Sequence, residues 1–150
     1  MRVWLRSSIS IVLFLLSLPL LAEDPLYGTW RMREDRQNPS LKSQVMKVEE
    51  VAGGTRFTFD IVMTKSKLNY YYITKLDGEA VSAIMKKKQF STVRVKKIGP
   101  MEYETTMTDL TTEQHFTSTI SKDGRILTNE GTAQANGQTL PVHQVFEKAQ

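Results

Sequence analysis

From Arg56 to Lys65 the chain sets Phe57, Phe59, Ile61 and Met63 at every second position against Arg56, Thr58, Asp60 and Thr64, with Val62 out of step. Successive side chains leave a strand on opposite faces, so this alternation describes a strand with one face toward an apolar interior. Comparable runs span Tyr27 to Arg33, Lys42 to Val51, Leu68 to Leu76, Glu79 to Ile84, Ser91 to Ile98, Met101 to Thr108, Glu113 to Ser121, Arg125 to Ala133 and Thr139 to Glu147. Eight to ten strands are predicted, because short runs such as Glu79 to Ile84 also fit a bulge or a bend. After residue 22 no segment keeps apolar residues three and four apart over the ten or so positions that a buried helix needs.

The punctuation between runs suits hairpins. Ala52-Gly53-Gly54, Asp77-Gly78, Gly99-Pro100, Asp123-Gly124 and Asn136-Gly137 place residues that tolerate positive φ, or that turn the chain, where strands must reverse. Parallel strands need crossovers of about a dozen residues, which these short connections exclude. An open antiparallel sheet of this size would expose two edges and one uncovered apolar face, with no helix to cover it. The predicted fold is therefore all-β: an antiparallel up-and-down meander closed into a barrel of 8–10 strands. The polar stretch from Glu34 to Leu41 is predicted as a loop or short lid.

Closure turns the alternating apolar positions inward. The inward sets are Phe57, Phe59, Ile61 and Met63; Tyr70 and Tyr72; Val93 and Val95; Tyr103 and Met107; Phe116 and Ile120; and Leu140, Val142 and Phe146. A barrel of about eight strands is just wide enough to be filled by side chains or to hold one small ligand, and ten leave more room. Periodicity leaves both readings open. In the first, Phe57, Phe59, Met63, Tyr70, Tyr72, Tyr103, Phe116 and Phe146 line a site for a hydrophobic or amphipathic guest, with tyrosine hydroxyls orienting it. In the second, the same side chains fill the interior.

The chain has 150 residues, no cysteine and a formal charge of +4. Its 40% apolar and 24% charged residues exclude disorder and disulfide scaffolds. Residues 1–22 read as a secretory signal: Arg2 and Arg6 precede an apolar run from Ile9 to Leu21, ending at Ala22 before Glu23-Asp24-Pro25. That run is shorter than the roughly 20 residues of a membrane span, and cleavage after Ala22 would leave one domain, residues 23–150, with no stable span. A periplasmic or secreted location is expected. The only N-x-S/T triplet, Asn38-Pro39-Ser40, carries a disqualifying proline.

Removing Arg2 and Arg6 leaves 18 basic against 16 acidic side chains. The residual basicity is local, at Lys86-Lys87-Lys88, Arg94, Lys96 and Lys97. Such a flank can attract anionic surfaces, but lysines also deter edge-to-edge aggregation. No aromatic platform interleaves with them, so nucleic acid is not an expected partner.

Leu26-Tyr27-Gly28-Thr29-Trp30 resembles the Gly-x-Trp start of the lipocalin and fatty-acid-binding barrels, where the tryptophan closes one barrel end. The resemblance implies that role for Trp30. Over the whole of residues 23–150, Asp24-Pro25, Gly28-Thr29-Trp30, Lys42-Ser43-Gln44, Asp77-Gly78-Glu79, the run Ser121 to Thr128, Gly131-Thr132 and Val145-Phe146-Glu147-Lys148 are similar to a family of small exported bacterial lipocalin-like proteins. That likeness implies fold and export and brings no activity with it. Met85 to Gln89 departs from it, being lysine-rich where a Gly/Asn/Pro turn is more usual. Intracellular fatty-acid-binding proteins grip the lipid carboxylate with a terminal Arg-x-Tyr pair; here the corresponding residues are Gln144 and Phe146. A buried carboxylate would lack its charged partner, so the resemblance implies a neutral guest.

Catalytic signatures are sparse. His115 and His143 are the only histidines, and no zinc-binding cluster, nucleophile elbow, phosphate loop or dinucleotide fingerprint occurs. Glu102 and Glu104 share a strand face but sit among polar neighbours that would leave them solvated. The expectation is a non-catalytic exported barrel, without metal or cofactor, that carries a small apolar ligand. The alternative is a cell-envelope interaction module with a filled core, acting through Tyr71, Ile73 and the lysine-rich flank.

Overall fold

The computed structural model describes residues 23–35 and 39–150, and the side chains of all these but residues 34 and 35. The expected signal, residues 1–22, and the centre of the expected lid, residues 36–38, lie outside the described residues. Ten strands follow in chain order: β1 (Gly28–Asp35), β2 (Leu41–Val51), β3 (Gly54–Met63), β4 (Lys67–Thr74), β5 (Asp77–Met85), β6 (Lys88–Gly99), β7 (Glu102–Thr108), β8 (Thr112–Ile120), β9 (Ile126–Ala135) and β10 (Gln138–Lys148). Each pairs with the next, and β1 closes the barrel against β10. The upper end of the predicted range is thus correct, and Glu79 to Ile84 lies in a strand of its own.

Register explains how alternation becomes an interior. Phe57 pairs with Val48 on one side and Tyr72 on the other, and Phe59 with Met46 and Tyr70. All six side chains therefore point inward. The cross-strand rings stack, Phe57 on Tyr72 at 5.0 Å and Phe59 on Tyr70 at 4.6 Å. Such pairs contribute about 0.5–1.5 kcal/mol beyond their burial. The weakest junction among the described strands joins β4 to β5, which pair at Tyr71 and Ile84 alone.

The hairpins bear out most of the turn signals. Asn136 (φ 52°) and Gly137 (φ 74°) form a two-residue reversal in the left-handed region, as their types favour. Two reversals differ from expectation. Between β4 and β5 the positive φ begins at Leu76 (59°), and Asp77-Gly78 already opens β5. Between β5 and β6 the turn is made by Lys86 (φ 50°) and Lys87 (φ 65°), residues without the asparagine or glycine that normally relieves this conformation.

One end of the barrel is solidly packed. Leu26, Trp30, Val48, Tyr103, Ile120, Leu127 and Phe146 are all at most 3% exposed. The segment before β1 plugs this end: the Trp30 indole N–H donates to the Leu26 carbonyl at 2.8 Å. Asp24 accepts from the Tyr103 hydroxyl at 2.8 Å and from the Leu26 amide at 3.0 Å, and it pairs with Lys97. Burial raises the Asp24 carboxyl pKa, but those three hydrogen bonds and the Lys97 charge outweigh it and hold the group below its usual value. Lys148 lies 5.1 Å from the centre of the Trp30 ring and donates to the Pro25 carbonyl at 2.7 Å. To reach it the lysine crosses Gly28, where an added Cβ would sit 2.7 Å from its Cε. The Gly-Thr-Trp motif therefore has a local cause: glycine makes room for the lysine that covers the tryptophan.

Candidate functional site

Toward the opposite end the interior is hollow. A cavity of about 260 Å³ lies between the strands, and Asp109 from the β7–β8 connection and Thr112 at the start of β8 mark its mouth. Leu26, Val95, Tyr103 and Leu127, part of the packed end, form its floor. Small-molecule sites commonly run from about 300 to 1,000 Å³, so this one suits a compact guest rather than a long chain.

Two unlike walls face each other across the cavity. In the closed strand order, β3 and β8 are five strands apart in either direction, and so are β4 and β9. These are diametrically opposite positions in a ten-stranded barrel. On one side β3 and β4 contribute Phe57, Phe59, Tyr70 and Tyr72, and Phe90 from β6 meets Tyr70 edge-on at 5.1 Å. On the other, β8, β9 and β10 contribute Ser118, Asn129 and Gln144, which form a hydrogen-bonded row. The Ser118 hydroxyl donates to Asn129 Oδ1 at 2.7 Å, and Asn129 Nδ2 donates to Gln144 Oε1 at 3.3 Å. Register sets the row up, since Ser118 pairs with Asn129 and Asn129 with Gln144.

Several polar groups in the cavity have no such partner. Gln44, Tyr72 and Thr105 are each at most 8% exposed, and among the described residues their side chains meet no hydrogen-bonding group of the protein. The same holds for the Tyr70 hydroxyl and the Gln114 carboxamide, which also line the cavity. Burial pushes the phenols of Tyr70 and Tyr72 well above their ordinary pKa, so both remain neutral donors. Apart from Asp109 at the mouth, no charged side chain lines the cavity among the described residues. A buried ion would find no counter-charge there, whereas a neutral molecule with hydrogen-bonding atoms would find several free partners.

Of the eight residues expected to meet a guest, the structure brings six together: Phe57, Phe59, Tyr70, Tyr72, Tyr103 and Phe116 all line the cavity. Met63 does not. It ends β3 beyond the cavity wall, only half-buried. Phe146 is set aside for the opposite reason: paired with Met32 and Leu127, it lies inside the packed end. Leu140 has the inward parity but is 47% exposed, because the start of β10 overhangs the cavity. A pattern of apolar residues does not reveal the polar row. Its signal was parity: Ser118 follows Phe116 by two, Asn129 follows Leu127 by two, and Gln144 precedes Phe146 by two.

The outer surface carries the remaining candidates. Glu104 faces His115 at 3.5 Å and His143 faces Glu130 at 3.4 Å, each pair on adjacent strands and away from the cavity. Tyr71 is half-buried beneath the Arg56 guanidinium, 4.4 Å from the ring centre, which narrows the expected outer aromatic patch to Ile73. No three metal-ligating side chains come together among the described residues. In comparisons with known proteins, no protein-family model matches the chain, and no curated protein matches it significantly.

Proposed function

We propose that this protein is an exported, non-catalytic barrel of lipocalin-like type that binds or carries a small, uncharged amphipathic molecule. One observation carries the reading: a cavity of about 260 Å³ lies open at one barrel end, walled by stacked aromatic side chains and unpartnered neutral polar groups. A filled interior would bury those polar groups without compensation, at about 1–3 kcal/mol each, so a binding role accounts for them better than an interaction module with a solid core does. Gln144 supports the neutral guest, because it brings a carboxamide to the cavity where a carboxylate-gripping site would need a cation. Export rests on the N-terminal run of residues 1–22, which gives a periplasmic or secreted location.

Native mass spectrometry of protein released gently from the cell envelope tests the reading without presupposing the guest. A chain beginning at Glu23 and carrying a small added mass, lost on mild activation, is the expected result. A bare chain, together with failure to take up any apolar ligand on titration, would overturn it.

A further inference from the structure

Resting on that binding reading, we infer from the opposed walls that the guest is a rigid, uncharged ring compound whose polar atoms lie along one edge. At the level of the Ser118–Asn129–Gln144 row the cavity's two sides differ in polarity across the barrel, with Phe116 and Leu127 flanking the row on β8 and β9. The aromatic side chains of β3 and β4 stand five strands from Ser118 on β8 and Asn129 on β9 respectively, and Gln144 on the neighbouring β10 completes the row. A flexible chain with one polar end carries its polarity along its length, so lying in this space it would press methylenes against the polar row. A ring with one apolar edge and one hydrogen-bonding edge matches both walls at once. The apolar edge meets Phe59, Tyr70 and Phe90, an environment already arranged in stacked and edge-on geometry. The other edge meets the carboxamide of Asn129, which is 7% exposed, with the hydroxyl of Thr105 on the adjoining β7, which has no partner within the protein among the described residues. The cavity volume of about 260 Å³ sets the scale at one or two fused rings.

Discrimination should come mainly from the polar side. A site built to hydrogen-bond a guest rejects an analogue that leaves its buried groups unpaired, often far more strongly than an apolar pocket rejects a change of size. Calorimetric titration with 2-naphthol, naphthalene and 1-decanol separates the alternatives, since the first and last are both neutral with a single hydroxyl. 2-Naphthol is expected to bind at least about tenfold more tightly than 1-decanol. Asn129→Leu should weaken 2-naphthol by about tenfold and leave naphthalene unchanged or tighter, whereas Tyr70→Leu should weaken both. Because Asn129 also bonds Ser118 and Gln144, Thr105→Val serves as a second variant: its hydroxyl holds no protein partner and β7 adjoins the polar row, so the fold should survive while 2-naphthol binding drops. Tighter binding of 1-decanol than of 2-naphthol, or indifference of 2-naphthol to both polar-side variants, would overturn the ring class while leaving a binding barrel in place. If wild-type protein takes none of the three and holds no guest of its own, the binding reading itself fails.

Discussion

The two ends of this barrel are made from the same alternating strands and do opposite things with them. At the packed end each inward polar group has a stated partner: Asp24 with Tyr103 and Lys97, the Trp30 indole with Leu26, Lys148 with Pro25. At the hollow end Gln44, Thr105, Tyr70 and Tyr72 have none within the protein, among the described residues. Satisfied polar groups beneath close-packed rings stabilise a fold, and unsatisfied ones around a space cost stability unless something else meets them. The difference teaches that substitutions should divide by end: losses of stability at the plug, losses of binding at the mouth.

The largest expected break in that division is Trp30→Ala. A fully buried indole leaves a void that the plug cannot refill, at a cost of about 3–5 kcal/mol, read from denaturant unfolding. Equal stability of the variant and wild type would mean that the plug is not the keystone of its end. Next comes Asp24→Ala, expected to cost about 1–2 kcal/mol through loss of hydrogen bonds to a partly exposed carboxylate. The same residue gives a pH signature. Its folded pKa lies below the ordinary 3.8, so its contribution is present above that value and is lost as pH falls through the depressed folded value. Wild-type stability should therefore fall more steeply than that of Asp24→Asn as acidification proceeds below about pH 4.

A smaller effect of opposite sign is expected at the β5–β6 turn. Replacing Lys86-Lys87 by Asn-Gly relieves two left-handed lysines and should raise the melting free energy by about 1 kcal/mol, leaving guest binding untouched. Smallest of all is Gln44→Met in the empty protein, expected to shift stability by no more than about 1 kcal/mol, since its carboxamide faces the cavity and holds no hydrogen bond within the protein among the described residues. A large destabilisation by Gln44→Met would blur the contrast between the ends by giving the mouth a structural polar group.

The sequence made the barrel legible because period two is a direct record of which face is buried, and all ten runs carry it. Trp30 falls in the plug, and six of the residues singled out for a guest line the cavity. What it could not show was depth. Met63, Leu140 and Phe146 share inward parity with the cavity side chains, yet they fall at the rim, the overhang and the plug, because strand stagger decides height and alternation does not record it. The polar groups of the cavity were hidden for another reason: Gln44 on β2 and Ser118, Asn129 and Gln144 on the opposite wall sit at inward positions, but their polarity makes each one look like a break in an apolar pattern. The left-handed conformation of the lysine-rich turn was not legible, because neither Lys86 nor Lys87 carries the glycine or asparagine signal for positive φ.

Methyl-resolved NMR under xenon pressure tests most directly whether one end is hollow and the other solid. Shifts should concentrate at Ile61, Met46, Val93 and Met107, which line the cavity, while Val48 and Ile120 in the plug stay still. Uniform shifts along the barrel, or none at the four cavity residues, would contradict the account.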